Sequence, residues 1–143
     1  MERALLLARL AAEDGEIPVG AVVVKDNKII GEGRNRREKA KTPLAHAEIE
    51  AVHNAAEALG DWRLSGCELY VTLEPCSMCA GAIVNSRLSS LIFGAYDETA
   101  GAVISHETVL SPFKNDICVV GGFLESECKR VLTEFFSALR GGK

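Results

Sequence analysis

The sequence lacks any apolar run long enough to cross a membrane. Its longest apolar runs, residues 4–8 and 20–24, are far shorter than the ~20 residues that a membrane-spanning helix needs. The N-terminal segment also lacks the features of a signal peptide, because Glu2 stands where a basic start is expected and Arg9 interrupts the apolar stretch. We therefore expect a cytoplasmic protein with no membrane attachment.

The sequence also lacks an excess of basic charge, internal repeats and linker-like segments. Its 16 Lys and Arg against 20 Asp and Glu give a net charge of −4, which excludes a broadly basic protein that coats nucleic acid. With 48% hydrophobic and 25% charged residues, the composition is that of an ordinary globular domain. We treat residues 1–143 as one domain, which at this size buries a core without metal or disulfide support. Any metal is therefore expected to serve function.

The cysteines do not have the number expected of a disulfide framework. There are five, Cys67, Cys76, Cys79, Cys118 and Cys128, in a chain expected to stay in a reducing compartment. Cys67 precedes a predicted strand, Cys118 lies within one and Cys128 lies on the apolar stripe of a predicted helix. We interpret these three as small buried hydrophobic residues. Cys76 and Cys79 remain as candidates for chemistry.

Hydrophobic periodicity predicts an alternation of helices and strands. The predicted helices cover residues 3–13, 45–59, 76–85 and the apolar stripe from 128 to 139, and the predicted strands cover 19–25, 29–34, 68–73, 90–95 and 117–120. The first two strands form a hairpin, and a strand–helix–strand unit of crossover length follows. The sequence therefore predicts an α/β protein, with a mixed five-stranded sheet and helices on both faces in three α/β/α layers.

Two groups of reactive side chains lie at predicted helix starts. Cys76 and Cys79 share one face of a first helical turn, where the helix dipole favours thiolates. A C-x-x-C pair alone fits a redox dithiol, two core cysteines or a metal site. His46 begins the other helix and supplies a third ligand, whereas His53 lies seven residues further along, roughly 10 Å away.

One imidazole and two thiolates form a ligand set typical of tetrahedral zinc with the fourth position open to water. Glu48, two residues after His46, is then placed to carry the proton of that water. Two alternatives from other classes stay open. One is a redox protein that uses the C-x-x-C pair, and the other is a non-catalytic zinc module that binds RNA.

The spacing H-x-E followed by P-C-x-x-C is the signature of the zinc-dependent base deaminases. Beyond it, the sequence resembles the bacterial tRNA-specific adenosine deaminases of the cytidine/deoxycytidylate deaminase superfamily. The segments that carry this resemblance are residues 18–22, 31–36, 45–49, 69–82 and 93–97, and the similarity covers nearly the whole chain.

The resemblance implies a cytidine-deaminase-like fold, a homodimer and hydrolytic deamination of adenosine to inosine at position 34, the wobble position of a tRNA anticodon. It also implies roles for individual residues. The implied zinc ligands are His46, Cys76 and Cys79, the implied proton shuttle is Glu48, and the implied substrate-binding residues are Asn35, Ala47 and Asp97. In that family one zinc ion per subunit activates the water that attacks the base, and ammonia leaves.

Residues 34–41 contain five basic residues and one acidic residue in an otherwise acidic chain. We name Arg36, Arg37, Lys39 and Lys41 the basic rim and expect it to follow the phosphates of an anticodon loop. The plain alternative is an exposed, solvated loop. A free-base or nucleotide deaminase that acts on guanine, cytosine or deoxycytidylate also stays open, because such enzymes use the same four residue types at the metal.

Overall fold

The chain forms helices and strands in mixed order. The computed structural model describes residues 1–113 and 116–141. Its strands are β1 (Gly20–Lys25), β2 (Lys28–Arg34), β3 (Glu68–Leu73), β4 (Ser90–Ala95) and β5 (Cys118–Val120). Its helices are α1 (Glu2–Glu13), α2 (Arg37–Ala40), α3 (Ala47–Leu59), α4 (Ser77–Asn85) and α5 (Glu125–Gly141), and a 3-10 turn covers Ser111–Phe113. None of these described helices combines the length and apolarity needed to span a membrane.

The five strands form one mixed sheet in the order β2-β1-β3-β4-β5. β1 pairs antiparallel with β2 and β3, while β3, β4 and β5 are parallel. The hairpin turn uses Asp26 and Asn27 at positive φ values of 51° and 63°, which matches the right-handed twist of the strands. The predicted hairpin, crossover and sheet type are confirmed.

Helices cover both faces of the sheet and enclose two clusters of buried side chains. On one face α3 and α4 pack against the sheet, and on the other face α1 and α5 do so. Small residues let α3 approach β2 closely. A Cβ on Gly33 would overlap the carbonyl oxygen of Ala47, so this glycine allows the first turn of α3 to rest directly on the strand. The three-layer architecture is confirmed, and it fixes the helix start that carries His46.

Two helix starts and one loop beside the predicted site differ from the predictions. α3 begins at Ala47 instead of residue 45, and α4 begins at Ser77 instead of residue 76, because His46 and Cys76 have extended backbone angles and serve as N-caps. The basic segment is not wholly a loop, since Arg37–Ala40 forms one helical turn. These differences all lie beside the predicted site.

The interpretation of Cys118 as a buried hydrophobic residue is wrong. Cys67 and Cys128 are buried as expected, but Cys118 is exposed because it begins the short edge strand β5, which has a partner on one side only. The apolar stripe on α5 is also only partly buried. Its first members, Cys128 and Val131, lie in the core, whereas Leu139 near the end of the helix is 62% exposed.

Candidate metal and substrate site

The N-termini of α3 and α4 meet at the carboxyl end of β3. His46 caps α3 with φ −85° and ψ 151°, and Cys76 caps α4 with φ −75° and ψ 177°. Cys79 lies in the first turn of α4. Because both caps are extended, their side chains turn away from the helix bodies and point towards each other.

The ligand atoms of these three residues lie close together. The Nδ1 atom of His46 is 3.6 Å from the Sγ atom of Cys76 and 3.5 Å from that of Cys79. In a tetrahedral site with the usual Zn–S and Zn–N bond lengths, a sulfur and a nitrogen ligand lie about 3.6 Å apart. Within the described ranges, this is the one group of three such side chains close enough to hold a metal ion. The residues present therefore fit zinc.

The two thiols have pKa values shifted in opposite directions. A hydrogen bond from Cys79, together with the His46 ring, lowers the pKa of Cys76 to about 3 against the opposing effect of burial. The same hydrogen bond, together with burial, raises the pKa of Cys79 above its ordinary value. Metal binding requires both thiols deprotonated and the imidazole neutral, so zinc uptake at this group would release protons.

Glu48 lies beside the three ligand residues but is not part of the ligand group. Its side chain is 5% exposed, and burial raises the pKa of its carboxyl to about 7. A carboxyl group with a pKa near neutrality can both accept and donate a proton at physiological pH. This is the property expected of a proton shuttle.

A cavity of about 240 Å³ opens above these residues. Seven of the residues singled out in the sequence line it: Asn35, Arg37, His46, Ala47, Glu48, Cys76 and Asp97. Ile17, Val19, Leu73, Glu74 and Ala100 complete the lining. The predicted ligands, proton carrier and substrate-binding residues are thus brought to one place.

Asn35 is held by two hydrogen bonds of its side-chain amide. Its Nδ2 atom donates to the carbonyl oxygen of Ile17 over 3.1 Å, and its Oδ1 atom accepts from the backbone N–H of Arg37 over 3.1 Å. A carboxamide has two N–H groups and two lone pairs. Among the described residues, one N–H and one lone pair of this amide are therefore left without a partner.

The basic rim carries less free charge than the sequence suggests. Arg36 pairs with Glu50 at 3.3 Å, Lys39 with Asp14 at 3.7 Å, and Arg37 with the neighbouring Glu38 at 3.5 Å. Glu50 lies in α3 and Asp14 at the end of α1. The charge count over residues 34–41 in the sequence therefore did not include them. Arg37 is the rim residue that lines the cavity, and Lys41 follows α2 with φ 55°.

Two buried glutamates were not singled out in the sequence, and one of them lines the cavity. Glu16 is 2% exposed and accepts hydrogen bonds from the backbone N–H groups of Glu38 and Lys39. Glu74 is also 2% exposed, and it lines the cavity. Burial raises the pKa of the Glu74 carboxyl, but hydrogen bonds outweigh this effect and the pKa lies below its usual value. The available signal for Glu74 was an acidic residue directly after a buried strand.

His53 lies outside the site, as expected. Its side chain is 68% exposed and its Nε2 atom is 3.2 Å from a carboxylate oxygen of Glu57, one helical turn further along α3.

Comparison with known proteins identifies relatives of this chain. The family model of the MafB19-like deaminases matches residues 1–140. A tRNA-specific adenosine deaminase of Bacillus subtilis (strain 168) is 45% identical over 145 residues, and the match covers 100% of this chain and 90% of the relative.

Solved structures agree with these matches. One, from a study of A-to-I editing by tRNA:A34 deaminases at the wobble position of transfer RNA, has a TM-score of 0.86 and 44% identity. The match covers 92% of this chain and 97% of that one. Another, a guanine deaminase from Nitrosomonas europaea, has a TM-score of 0.84 and 27% identity, with 95% of this chain and 82% of that one covered.

Proposed function

Because this chain belongs to the tRNA-specific adenosine deaminase family, we propose that it converts adenosine to inosine by hydrolysis at the wobble position of a tRNA anticodon. The observation that carries the proposal is the convergence of His46, Cys76 and Cys79 beside the buried Glu48 at one cavity. A family match over residues 1–140 supports treating residues 1–143 as a single deaminase domain.

Zinc is the proposed cofactor, with one ion per subunit held by His46, Cys76 and Cys79. When bound, zinc supplies an activated water for attack at C6 of the adenine base. The dithiol alone could serve redox chemistry, but the third ligand at 3.5 and 3.6 Å favours a metal site. A non-catalytic zinc module would have no need of a carboxyl group buried beside the ligands.

Glu48 is the proposed catalytic residue. It accepts a proton from the attacking water, delivers it to N1 of the base and then helps to protonate the departing amine, so that water and adenosine become inosine and ammonia. Its pKa of about 7 suits both halves of this transfer. Burial raises this pKa, so the surroundings of Glu48 give its carboxyl the pKa that proton transfer at neutral pH needs.

The remaining lining residues hold the substrate in this proposal. Asn35 contacts the target base through the free N–H and lone pair of its amide, and Ala47 contributes to the cavity wall next to Glu48. The family resemblance implies that Asp97 lies near the nucleotide that flanks the target adenosine. The basic rim follows the phosphates of the anticodon loop, with its charge reduced by its acidic neighbours.

The proposal extends to the assembly and its location. The family resemblance implies a homodimer, which light scattering would detect as twice the chain mass. We also propose a cytoplasmic location, which is compatible with a tRNA substrate.

Guanine deamination is the second candidate, because a guanine deaminase shares the fold at a TM-score of 0.84. The deciding experiment measures ammonia release by the zinc-loaded protein, offered in parallel an adenosine-34 anticodon stem-loop, guanine, cytosine and deoxycytidylate. Release from the stem-loop alone, and none by the Glu48→Ala variant, supports tRNA deamination. Release from guanine alone would keep the zinc site and the fold and overturn the substrate.

A further inference from the structure

Glu74 occupies an unusual position for a carboxylate. It follows β3 directly, two residues before the predicted ligand Cys76, and its side chain is 2% exposed. Its backbone N–H donates to the carbonyl oxygen of Ala95 at the end of β4. The proposed reaction gives it no part, since Glu48 carries the proton.

The Glu74 carboxylate accepts five hydrogen bonds from a single loop, residues 97–105. Its Oε1 atom accepts from the backbone N–H of Asp97 at 3.1 Å and from the hydroxyl of Ser105. Its Oε2 atom accepts from the backbone N–H groups of Val103 at 3.2 Å, Ile104 at 2.7 Å and Ser105 at 2.9 Å. Hydrogen bonds to an ionised acceptor are roughly twice as strong as neutral ones.

The loop also closes tightly around this carboxylate. A Cβ on Gly101 would overlap the Glu74 carboxyl carbon, so the backbone passes closer to the side chain than any other residue would allow. The N–H of Ala102 donates to the carbonyl oxygen of Pro75 over 2.8 Å. The loop is therefore fixed to the same short segment that positions Cys76.

Two residues of this loop face the cavity, Asp97 and Ala100. One carboxylate oxygen of Asp97 accepts from the backbone N–H groups of Thr99 and Ala100, both at 3.1 Å. The other oxygen accepts no hydrogen bond from the described residues and is available to a ligand. Glu74 thus holds the backbone of Asp97, and Asp97 holds the turn that brings Ala100 to the cavity.

We propose that Glu74 is a positioning residue, which acts through Asp97 to fix one wall of the cavity and thereby sets the affinity for the nucleotide next to the target base. The identity of the ligand in this proposal rests on the proposed tRNA function. The ordering of the loop by Glu74 does not depend on that function.

The first test measures the order of the loop without any substrate. In Glu74→Gln the side chain keeps its shape but loses its charge and one acceptor site, so amide hydrogen exchange should accelerate at least about tenfold at Val103, Ile104 and Ser105. The matched control is Glu16→Gln, which changes an equally buried carboxylate that holds α2 and should leave exchange in loop 97–105 unchanged. Unchanged exchange in folded Glu74→Gln would overturn the proposal.

The second test separates positioning from a general loss of stability. Dissociation constants for the adenosine-34 stem-loop are measured on zinc-loaded protein that also carries Glu48→Ala, so that no turnover occurs. We expect Glu74→Gln to weaken binding about tenfold when Asp97 is present. In the Asp97→Ala background we expect less than about a twofold loss, since acting through Asp97 makes the two changes non-additive.

If Glu74→Gln weakens binding equally with Asp97 and with Asp97→Ala, the proposal is contradicted. Glu16→Gln is the control for this comparison, and any loss of affinity that it causes should be the same in both backgrounds. If Glu74→Gln does not fold, Ser105→Ala removes one donor to the same carboxylate and should give a smaller loss with the same dependence on Asp97. Failure of the wild-type protein to deaminate the stem-loop would instead refute the tRNA function, while the exchange experiment still decides whether Glu74 orders the loop.

Discussion

At the scale of single residues, a change at Glu48 tests catalysis and metal binding separately. It is buried beside the three predicted ligands but is not one of them. We predict that Glu48→Ala keeps a full zinc content and lowers kcat by about 10²–10⁴-fold, which is the usual contribution of a positioned acid–base group. Metal analysis and single-turnover inosine formation measure the two quantities on the same sample.

The control for this variant is Glu57→Ala, which removes a carboxyl from the exposed side of the same helix, α3. It should leave both zinc content and kcat unchanged. Loss of zinc in Glu48→Ala would contradict the assigned roles, because it would make Glu48 a ligand.

The free cysteines differ in their expected reactivity. Cys118 is exposed, whereas Cys67 and Cys128 are buried, and burial raises the pKa of the Cys128 thiol to about 11. Only a thiolate reacts readily with an alkylating agent. In zinc-loaded protein at neutral pH, we predict one adduct of iodoacetamide, at Cys118, detected by mass spectrometry of peptides.

Chelation of the metal should add adducts at Cys76, and Cys118→Ser should remove the first adduct. Modification of Cys67 or Cys128 before Cys118 would show that the packing on the two faces of the sheet is looser than described.

At the scale of elements, the segment that contains α2 carries the proposed contacts to RNA phosphates. We predict that neutralising the whole basic rim, with Arg36, Arg37, Lys39 and Lys41 each changed to Gln, weakens stem-loop binding and leaves the zinc content intact. Each lost phosphate contact on a single strand should lower the slope of log Kd against log salt by about 0.7. Titrations at several salt concentrations measure this slope.

Acidic neighbours provide a change in the opposite direction. Asp14 lies near both Arg34 and Lys39, at 3.2 and 3.7 Å, so Asp14→Asn should tighten binding. Lys25→Gln, at the far end of β1, should have no effect on binding. Unchanged affinity in the rim variant would leave α2 as an exposed turn with no role in RNA binding.

Elements formed by local signals were predictable from the sequence. The bounds of β3 and β4 were predicted correctly, since β-branched and aromatic runs ended at turn residues. The two ligand helices were placed one or two residues early, because the sequence does not show that His46 and Cys76 adopt extended angles.

Contacts between distant residues were not predictable in the same way. Glu74 binds a loop 23 to 31 residues further along the chain, and the acids that pair with Lys39 and Arg36 come from other elements. These residues meet only when the helices and loops pack against the sheet. For the same reason, exposure of Cys118 depends on β5 lying at the sheet edge, which strand order decides.

At the scale of the whole molecule, the metal is expected to serve chemistry more than folding. Two core clusters fill the space on either side of the sheet, and their packing is built from apolar side chains. We predict that chelation abolishes deamination while the circular dichroism spectrum at 25 °C stays that of a folded protein. If the free zinc concentration is 100 times the Kd, removing the zinc should lower the free energy of unfolding by about 2.7 kcal/mol.

For a domain of this size, each kcal/mol corresponds to roughly 2–4 °C in Tm. Calorimetry of the zinc-loaded and chelated protein checks the size of the effect, and readdition of zinc should restore both Tm and activity. Unfolding of the chelated protein at 25 °C would show that the site is structural.

The most direct measurement maps inosine in a full-length tRNA that carries adenosine at position 34. The zinc-loaded protein is incubated with this tRNA, and inosine is detected by sequencing, because it is copied as guanosine. The predicted result is conversion at position 34 and at no other adenosine, with no conversion by Glu48→Ala. An unmodified tRNA, from a preparation that releases ammonia from guanine, would contradict the proposed substrate.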